Sequence, residues 1–478
     1  MRLLYCCVAI AVLTTSGVYA LDGCFSIVVG KDASVDGCVI MAHNEDDWPP
    51  QVVNHRKEQG GDNPRPGVVE LLAGGEEPEW SMNRPFIWSE MPDFKFSDSF
   101  LNARGVCVAS DNCPSREDAG ELTDGGITKK LRQLIARRAS WAREGVHIAG
   151  ELVEKFGYGA PGRTYIIADP TEGWLFAVVN GKHWVAQRVP DDEVALIANT
   201  YSIHEIDLSD TLNYLGSEDL VEYAIEKGWY DPDKGPFDFA VAYAHPHFAA
   251  DSSNIGRQWA GLNFIAASPV AYAEKLPFSV KPAKKLDLDD VMAVMRNHYE
   301  GTVLEKDDPK HRAHCSSICN PGTMTSFVAQ LRHNDDLPFE IGCVYWVTLG
   351  PPCGSPYLPI YYGIEAFPDG WINAENCPSK EYYLERVNRP FSGDAASAFW
   401  TFSNFSSLTS SAEKPERERL QKVISDLENR WITRQDSVDQ AMLDVYREHK
   451  NSVYDKLNQY AEQVYQEALD ALSRAEPN

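Results

Sequence analysis

Cys24 stands where nucleophilic chemistry could begin. It follows a leader-like segment in which Arg2 supplies a short positive start and Leu3 to Leu13 an apolar run. Val18-Tyr19-Ala20 then places small residues where a signal peptidase cuts. Residues 1–20 are therefore expected to be a signal peptide and residues 21–23 a short propeptide. Removing both frees the α-amine of Cys24, which unites nucleophile and base in one residue: the thiol attacks a carbonyl, and the neutral amine takes up and returns the proton. An α-amine titrates near ~7.7–8.0, close to where a general base is best poised. Such a site needs only orienting groups and an oxyanion hole besides, and Asn side chains are suitable neutral donors there.

Two other fates for Cys24 stay open. Leu21-Asp22-Gly23-Cys24 has the form of a lipobox, which would make Cys24 a lipid anchor, although Asp22 is a poor residue at that position. Cys24 could also join a disulfide. The chain has 11 cysteines, of which Cys6 and Cys7 leave with the leader. Cys38, Cys107, Cys113, Cys315, Cys319, Cys343, Cys353 and Cys377 could form four disulfides in an oxidising compartment, leaving Cys24 unpaired. A secreted or lumenal location is expected. Two clusters have metal-like spacing, His245-Pro246-His247 and His311, His314, Cys315 and Cys319. Neither brings an obvious further ligand, so no metal and no cofactor is expected. The chain carries no Gly-x-Ser-x-Gly elbow and no phosphate loop.

Composition narrows the partners. With 44 basic and 70 acidic residues among 478, the net charge is −26, which repels phosphate backbones and argues against nucleic acid. Past the leader, no run approaches the ~20 apolar residues of a membrane span. Hydrophobic content of 44% fits a globular chain with a full core.

The elements that position Cys24 are legible as alternating runs. Phe25–Val29 and Cys38–Ala42 read as strands around the turn-forming Asp36-Gly37, a hairpin that brings Cys24 near His43-Asn44-Glu45-Asp46. Residues 59–67 read as an exposed loop. Thr128–Phe156 carries helical spacing. Strand-like runs follow at 164–168, 174–179, 183–189, 194–198, 344–349 and 358–362, with a helix from Leu288 to Tyr299 capped by Asp287. Ser403–Ser411, rich in Ser and Thr, reads as a linker or surface loop. Beyond it come two apolar helical stripes, expected to pack on the main body rather than to form a partner-binding coiled coil. The mixture implies an α+β layered fold.

The run from Cys24 to Gly37, followed by Ala-His-Asn-Glu-Asp-Asp-Trp at 42–48, closely resembles the start of the cysteine dipeptidase and secernin family. That family belongs to the N-terminal nucleophile hydrolases, related to bile-salt and penicillin acylases. The resemblance continues through Asn102-Ala103-Arg104-Gly105-Val106, Ser110-Asp111-Asn112, Ala198-Asn199, Asn254-Ile255-Gly256-Arg257 and residues 326–332, ending near Tyr361. It implies a four-layer αββα sandwich over residues 24–402, with 403–478 as a linker and C-terminal helices, and a cofactor-free dipeptidase acting on short peptides. By position it implies Cys24 as nucleophile, Asp46 as holder of the α-amine, Asn112 and Asn199 as oxyanion or amine-binding groups, and Arg257 beside the nucleophile. His43 and Asn44 would bind substrate. At His43 the sequence departs from the family, where Arg is more usual, so the role of that position stays open. An acylase acting on non-peptide amides with the same machinery is the alternative, and a non-catalytic binding protein on the same fold is another.

Overall fold

A computed structural model describes residues 23–47, 51–62, 67–71, 74–78, 82–91, 96–273, 275–306, 316–371 and 397–476. The expected signal peptide, most of the propeptide, and His311, His314, Cys315 and Cys377 lie outside the described residues.

Two antiparallel sheets form the centre. The strands of the larger body run, in chain order, Phe25–Val29 (β1), Val39–Asp46 (β2), Asn54–Glu58 (β3), Phe86–Met91 (β4), Phe96–Asn102 (β5), Cys107–Asn112 (β6), Tyr158–Ala168 (β7), Gly173–Gly181 (β8), Trp184–Arg188 (β9), Val194–Ile197 (β10), Tyr214–Gly216 (β11), Ser279–Val280 (β12), Thr323–Leu331 (β13), Cys343–Leu349 (β14) and Leu358–Tyr361 (β15). The first sheet has the order β12-β10-β1-β2-β13-β14-β15, and the second β11-β9-β8-β7-β6-β5-β4-β3. The expected hairpin is present, with Ser26 opposite His43 and Phe25 opposite Asn44. Every residue of β1, β2, β13 and β14 is buried. Such strands read as continuous apolar runs because both faces of the sheet are covered.

Helices supply the outer layers. Lys130–Arg138 (α1) and Ala142–Phe156 (α2) cover the second sheet, where Leu134, Ile135, Val146 and Val153 share a core with Tyr165, Ile167 and Phe176. The alternate residues Ile166, Ala168 and Leu175 belong to the core between the sheets, the period-2 signature of a strand buried on two sides. Ser252–Ile265 (α3) and Leu288–Met295 (α4) cover the other face of the first sheet. The chain is thus a four-layer αββα sandwich of the α+β class.

The single helical stretch expected over 128–156 is two helices. Trp141 is extended (φ −152°, ψ 165°), and two side chains from elsewhere, with Glu144 of α2 itself, satisfy the broken ends. Asn102 donates to the carbonyls of Ala136 and Ala139, Glu144 accepts from Ser140 N, and Asp169 accepts from Ala142 N at 2.6 Å. External caps of this kind let a helix stop where its own periodicity continues.

Ser403–Ser411 is not a loop: it lies in a helix, Ala398–Ser411 (α5). Its apolar face, Phe399, Trp400, Phe402 and Phe405, is buried. Thr409, Ser410 and Ser411 turn their hydroxyls back onto the carbonyls four residues earlier, at 2.7–2.9 Å, so the polar composition is absorbed locally. Lys414–Glu448 (α6) and Ser452–Ala475 (α7) follow, joined by a three-residue link. They pack on the main body. Glu428 of α6, 3% exposed, pairs with Arg296 and accepts from Tyr357 N at 2.7 Å. Asp439 binds Arg332 and the Tyr361 hydroxyl, each at 2.6 Å.

The expected disulfides are not formed among the described residues. None of Cys24, Cys38, Cys107, Cys113, Cys319, Cys343 and Cys353 is joined to another in a disulfide. Cys38, Cys107, Cys113 and Cys343 are instead small core side chains, each with its thiol pKa pushed up, chiefly by burial and to about 12 at Cys38 and Cys113.

Candidate active site

Strand alternation decides which groups meet Cys24. Ser26 and Val28 face the second sheet: Ser26 Oγ donates to Asp111 Oδ2 of β6 at 2.6 Å, and Val28 Cγ1 would stand 2.5 Å from a Cβ on Gly173. Phe25 points the other way, with its Cζ 3.0 Å from a Cβ built on Gly261 of α3. Cys24 keeps the parity of Ser26, so its sulfur enters the space between the sheets with His43 and Glu45. The Sγ lies 3.6 Å from Glu45 Oε2 and 3.5 Å from the Asp46 carbonyl.

His43 is tied at both ring nitrogens. Nδ1 is 2.8 Å from Ser26 Oγ, and Nε2 is 3.1 Å from Glu45 Oε2. Since the Ser26 proton goes to Asp111, hydrogen-bond balance makes His43 Nδ1 the donor to Ser26. The resulting chain Asp111–Ser26–His43–Glu45–Cys24 is buried throughout. Asn44 does not join it. On the opposite face of β2, its Nδ2 donates to the carbonyls of Met295 (3.0 Å) and Ile318 (2.8 Å). Asn44 therefore fastens the helix layer to the strand and is not placed to touch substrate, contrary to the sequence expectation.

The Gly23–Cys24 peptide is held at both sides. Arg257 Nη1 donates to the carbonyls of Gly23 and, at 2.9 Å, Cys24. A Cβ on Gly23 would stand 3.1 Å from Asp46 Oδ2 and Asn320 Nδ2, so only a small residue fits there without pushing on the Asp46 carboxyl. Asp46 Oδ2 accepts from Asn320 Nδ2, while Oδ1 has no partner in hydrogen-bonding geometry. Burial lifts the Asp46 pKa from 3.8 to about 7, against the opposing pull of Thr323, Arg257, Asn320 and His43.

Arg257 also links the remaining expected residues. Its Nη2 donates to Asn199 Oδ1 (2.9 Å) and Asn254 Oδ1 (2.7 Å), and Asn199 Nδ2 donates to the Asn112 carbonyl (3.0 Å). Asn199 holds a left-handed backbone (φ 33°), a conformation Asn tolerates better than most residues. Cys24, Asp46, Asn112, Asn199 and Arg257 thus belong to one connected region. Glu45, Asp111, Asn254 and Asn320 belong to it too. The parity of His43 and Glu45 on one strand was a usable signal for Glu45. Asn320 lies 274 positions from Asp46 and offered none.

Close to Asp47 and Glu45, Lys129 at the start of α1 has its pKa lowered to about 8. Loss of solvation leads, Arg132 and Arg163 add repulsion, and Asp47 and Glu45 oppose it. Among the described residues two groups have ligand atoms close enough for a metal ion: Cys24, His43 and Glu45, and separately His298, Cys319 and Cys353. The pair His245 and His247 is not among them. His245 Nδ1 instead caps its own short helix by accepting from His247 N.

Residues 118–418 match the model of peptidase family C69, a span that opens C-terminal to Cys24. A probable dipeptidase B of Streptococcus pyogenes serotype M1 is 26% identical over 456 residues, covering 89% of this chain and 86% of the relative. A probable dipeptidase of Salmonella dublin is 28% identical over 385 residues, covering 75% and 85%. Among solved structures, penicillin V acylase from Agrobacterium tumefaciens overlaps 68% of this chain and 82% of its own, with TM-score 0.33 and 11% identity. With the family model spanning well over half of its length, the chain belongs to peptidase family C69 and is a peptidase.

Proposed function

We propose that this chain is a cysteine-type dipeptidase whose nucleophile is Cys24, acting as the first residue of the mature, secreted or lumenal protein. The observation that carries the reading is the setting of the Gly23–Cys24 bond. Arg257 grips its carbonyl, and the Asp46 carboxyl, buried and short of one partner, lies beside it. Once that bond is hydrolysed, the new amine of Cys24 would fall next to Asp46, and a carboxyl that burial favours in its neutral form gains a further cation that favours its charged form.

In this reading the Cys24 thiol attacks the scissile carbonyl carbon while its proton passes to the neutral α-amine. Collapse of the tetrahedral intermediate breaks the C–N bond, and the ammonium returns the proton to the departing amine. Water, deprotonated by the same amine, then cleaves the thioester and restores the thiol. Asp46 orients the amine, and the Asn199–Asn112 edge is the side from which oxyanion donors would come. A dipeptide carries a carboxylate and an ammonium a few ångströms apart. Lys129 and Arg163 suit the first, Glu45 and Asp47 the second. The names of the relatives support the same substrate class. A panel of dipeptides, longer peptides and N-acyl amides, read by product chromatography, tests the assignment. Turnover confined to dipeptides supports it, and preference for acyl amides replaces it with the acylase reading.

A further inference from the structure

Away from Cys24, three loops bring together a second set of reactive side chains. His298 follows the end of α4, Cys319 precedes β13, and Cys353 lies in the turn between β14 and β15. All three are buried, at 3%, 0% and 8% exposure, and their ligand atoms lie within 4.8 Å of one another. We propose that His298, Cys319 and Cys353 form a structural binding site for a thiophilic divalent cation such as Zn²⁺.

The chemistry of the set supports this. Two thiolates and one imidazole are borderline-to-soft ligands that prefer zinc to calcium or magnesium, and two thiolates neutralise the ion's charge in a buried place. The imidazole is already aimed. Glu300 Oε1 is 3.2 Å from His298 Nδ1, and Glu300 Oε2 accepts the His298 backbone N–H at 2.6 Å. A carboxylate on one ring nitrogen fixes the tautomer and presents Nε2 as the ligand atom, the outer-shell arrangement usual for metal-bound histidine. A route from solvent exists as well. A pocket of about 590 Å³ is lined by His298, Glu300 and Cys353 together with Arg296, Asn297 and Gln421 of α6. Water from that side completes a fourth position. Binding releases the two thiol protons to solvent.

The site would brace the wall of the candidate active site without entering its chemistry. Cys319 N donates to the Asn297 carbonyl at 3.1 Å, Asn44 donates to the carbonyls of Met295 and Ile318, and Asn320 donates to Asp46. An ion bridging residues 298, 319 and 353 ties together the segments that hold Asp46 in place.

The test is cobalt titration of the full-length protein, stripped of metal and kept reduced. The expected result is one Co²⁺ per chain with a near-ultraviolet thiolate-to-cobalt absorption, displaced by Zn²⁺. The band should persist in Cys24→Ala, which removes the other cysteine-bearing cluster, and vanish in Cys353→Ser. Glu300→Gln, which keeps every ligand, should weaken binding by ~10–100-fold, so the proposal does not depend on one variant that fails to fold. Zn²⁺ should also raise the thermal midpoint of the wild type and not of Cys353→Ser. Absence of the thiolate band in reduced wild type, or its loss in Cys24→Ala, overturns the proposal. So does peptide mapping that finds Cys319 and Cys353 joined in a disulfide in protein purified without reductant.

Discussion

Asp46→Asn gives the sharpest physical test of how the Gly23–Cys24 bond is prepared. With the bond intact, Asp46 titrates near 7 in the folded chain against 3.8 ordinarily. At about 1.4 kcal/mol per factor of ten, that difference corresponds to about 4 kcal/mol. The sign follows from proton counting. Between the two values the folded state binds the extra proton, so stability is greatest at acid pH and falls as pH rises toward 7. Asn carries no such burden. In a Cys24→Ala background, which keeps the bond, Asp46→Asn should therefore gain on its parent as pH rises from 4 to 8, by up to about 4 kcal/mol. Any lost hydrogen bond to Asn320 adds a pH-independent offset, so the slope is the diagnostic quantity. Urea unfolding at pH 4 to 8, monitored by tryptophan fluorescence, measures it. The same comparison made with wild-type Cys24 in chains that begin at that residue should reverse the sign near neutrality, because the ammonium then pairs with Asp46 and the substitution removes a favourable charge. A gap that ignores pH in the uncut pair, or that fails to reverse in the cut pair, refutes the reasoning.

Two further outcomes follow from named contacts. Lys129→Met should raise KM for dipeptides more than it lowers kcat; in the wild type KM should climb above pH 8 as Lys129 loses its proton, a climb the variant lacks when initial rates are compared across pH. Asp439→Ala should lower the thermal midpoint by several degrees in differential scanning fluorimetry. It leaves the half-buried Arg332 without its 2.6 Å partner, a loss of up to about 3–5 kcal/mol, the range for a broken buried pair.

Much of this architecture was legible because the strands obey simple alternation. Phe25–Val29 and Val39–Asp46 pair as the apolar runs around Asp36-Gly37 suggest, and Asp287 caps α4 with a full capping box. Some of the misreadings arise where distant groups decided a local outcome. The break at residues 139–141 depends on Asn102 and Asp169, from other parts of the chain. Ser403–Ser411 looks like a loop by composition, yet buried aromatic side chains and back-bonded hydroxyls make it helix. Asn44 and His43 are adjacent on β2, and adjacency on a strand puts them on opposite faces. Asn320 became visible only when the fold brought it to Asp46.

The central claim is that Cys24 begins the working enzyme. Intact-mass analysis and N-terminal sequencing of protein selected for dipeptidase activity test it directly. The account expects a chain that begins at unmodified Cys24, and alkylation of its thiol should abolish turnover. A fully active chain that still begins at Leu21, or one carrying a lipid mass on Cys24, would contradict it.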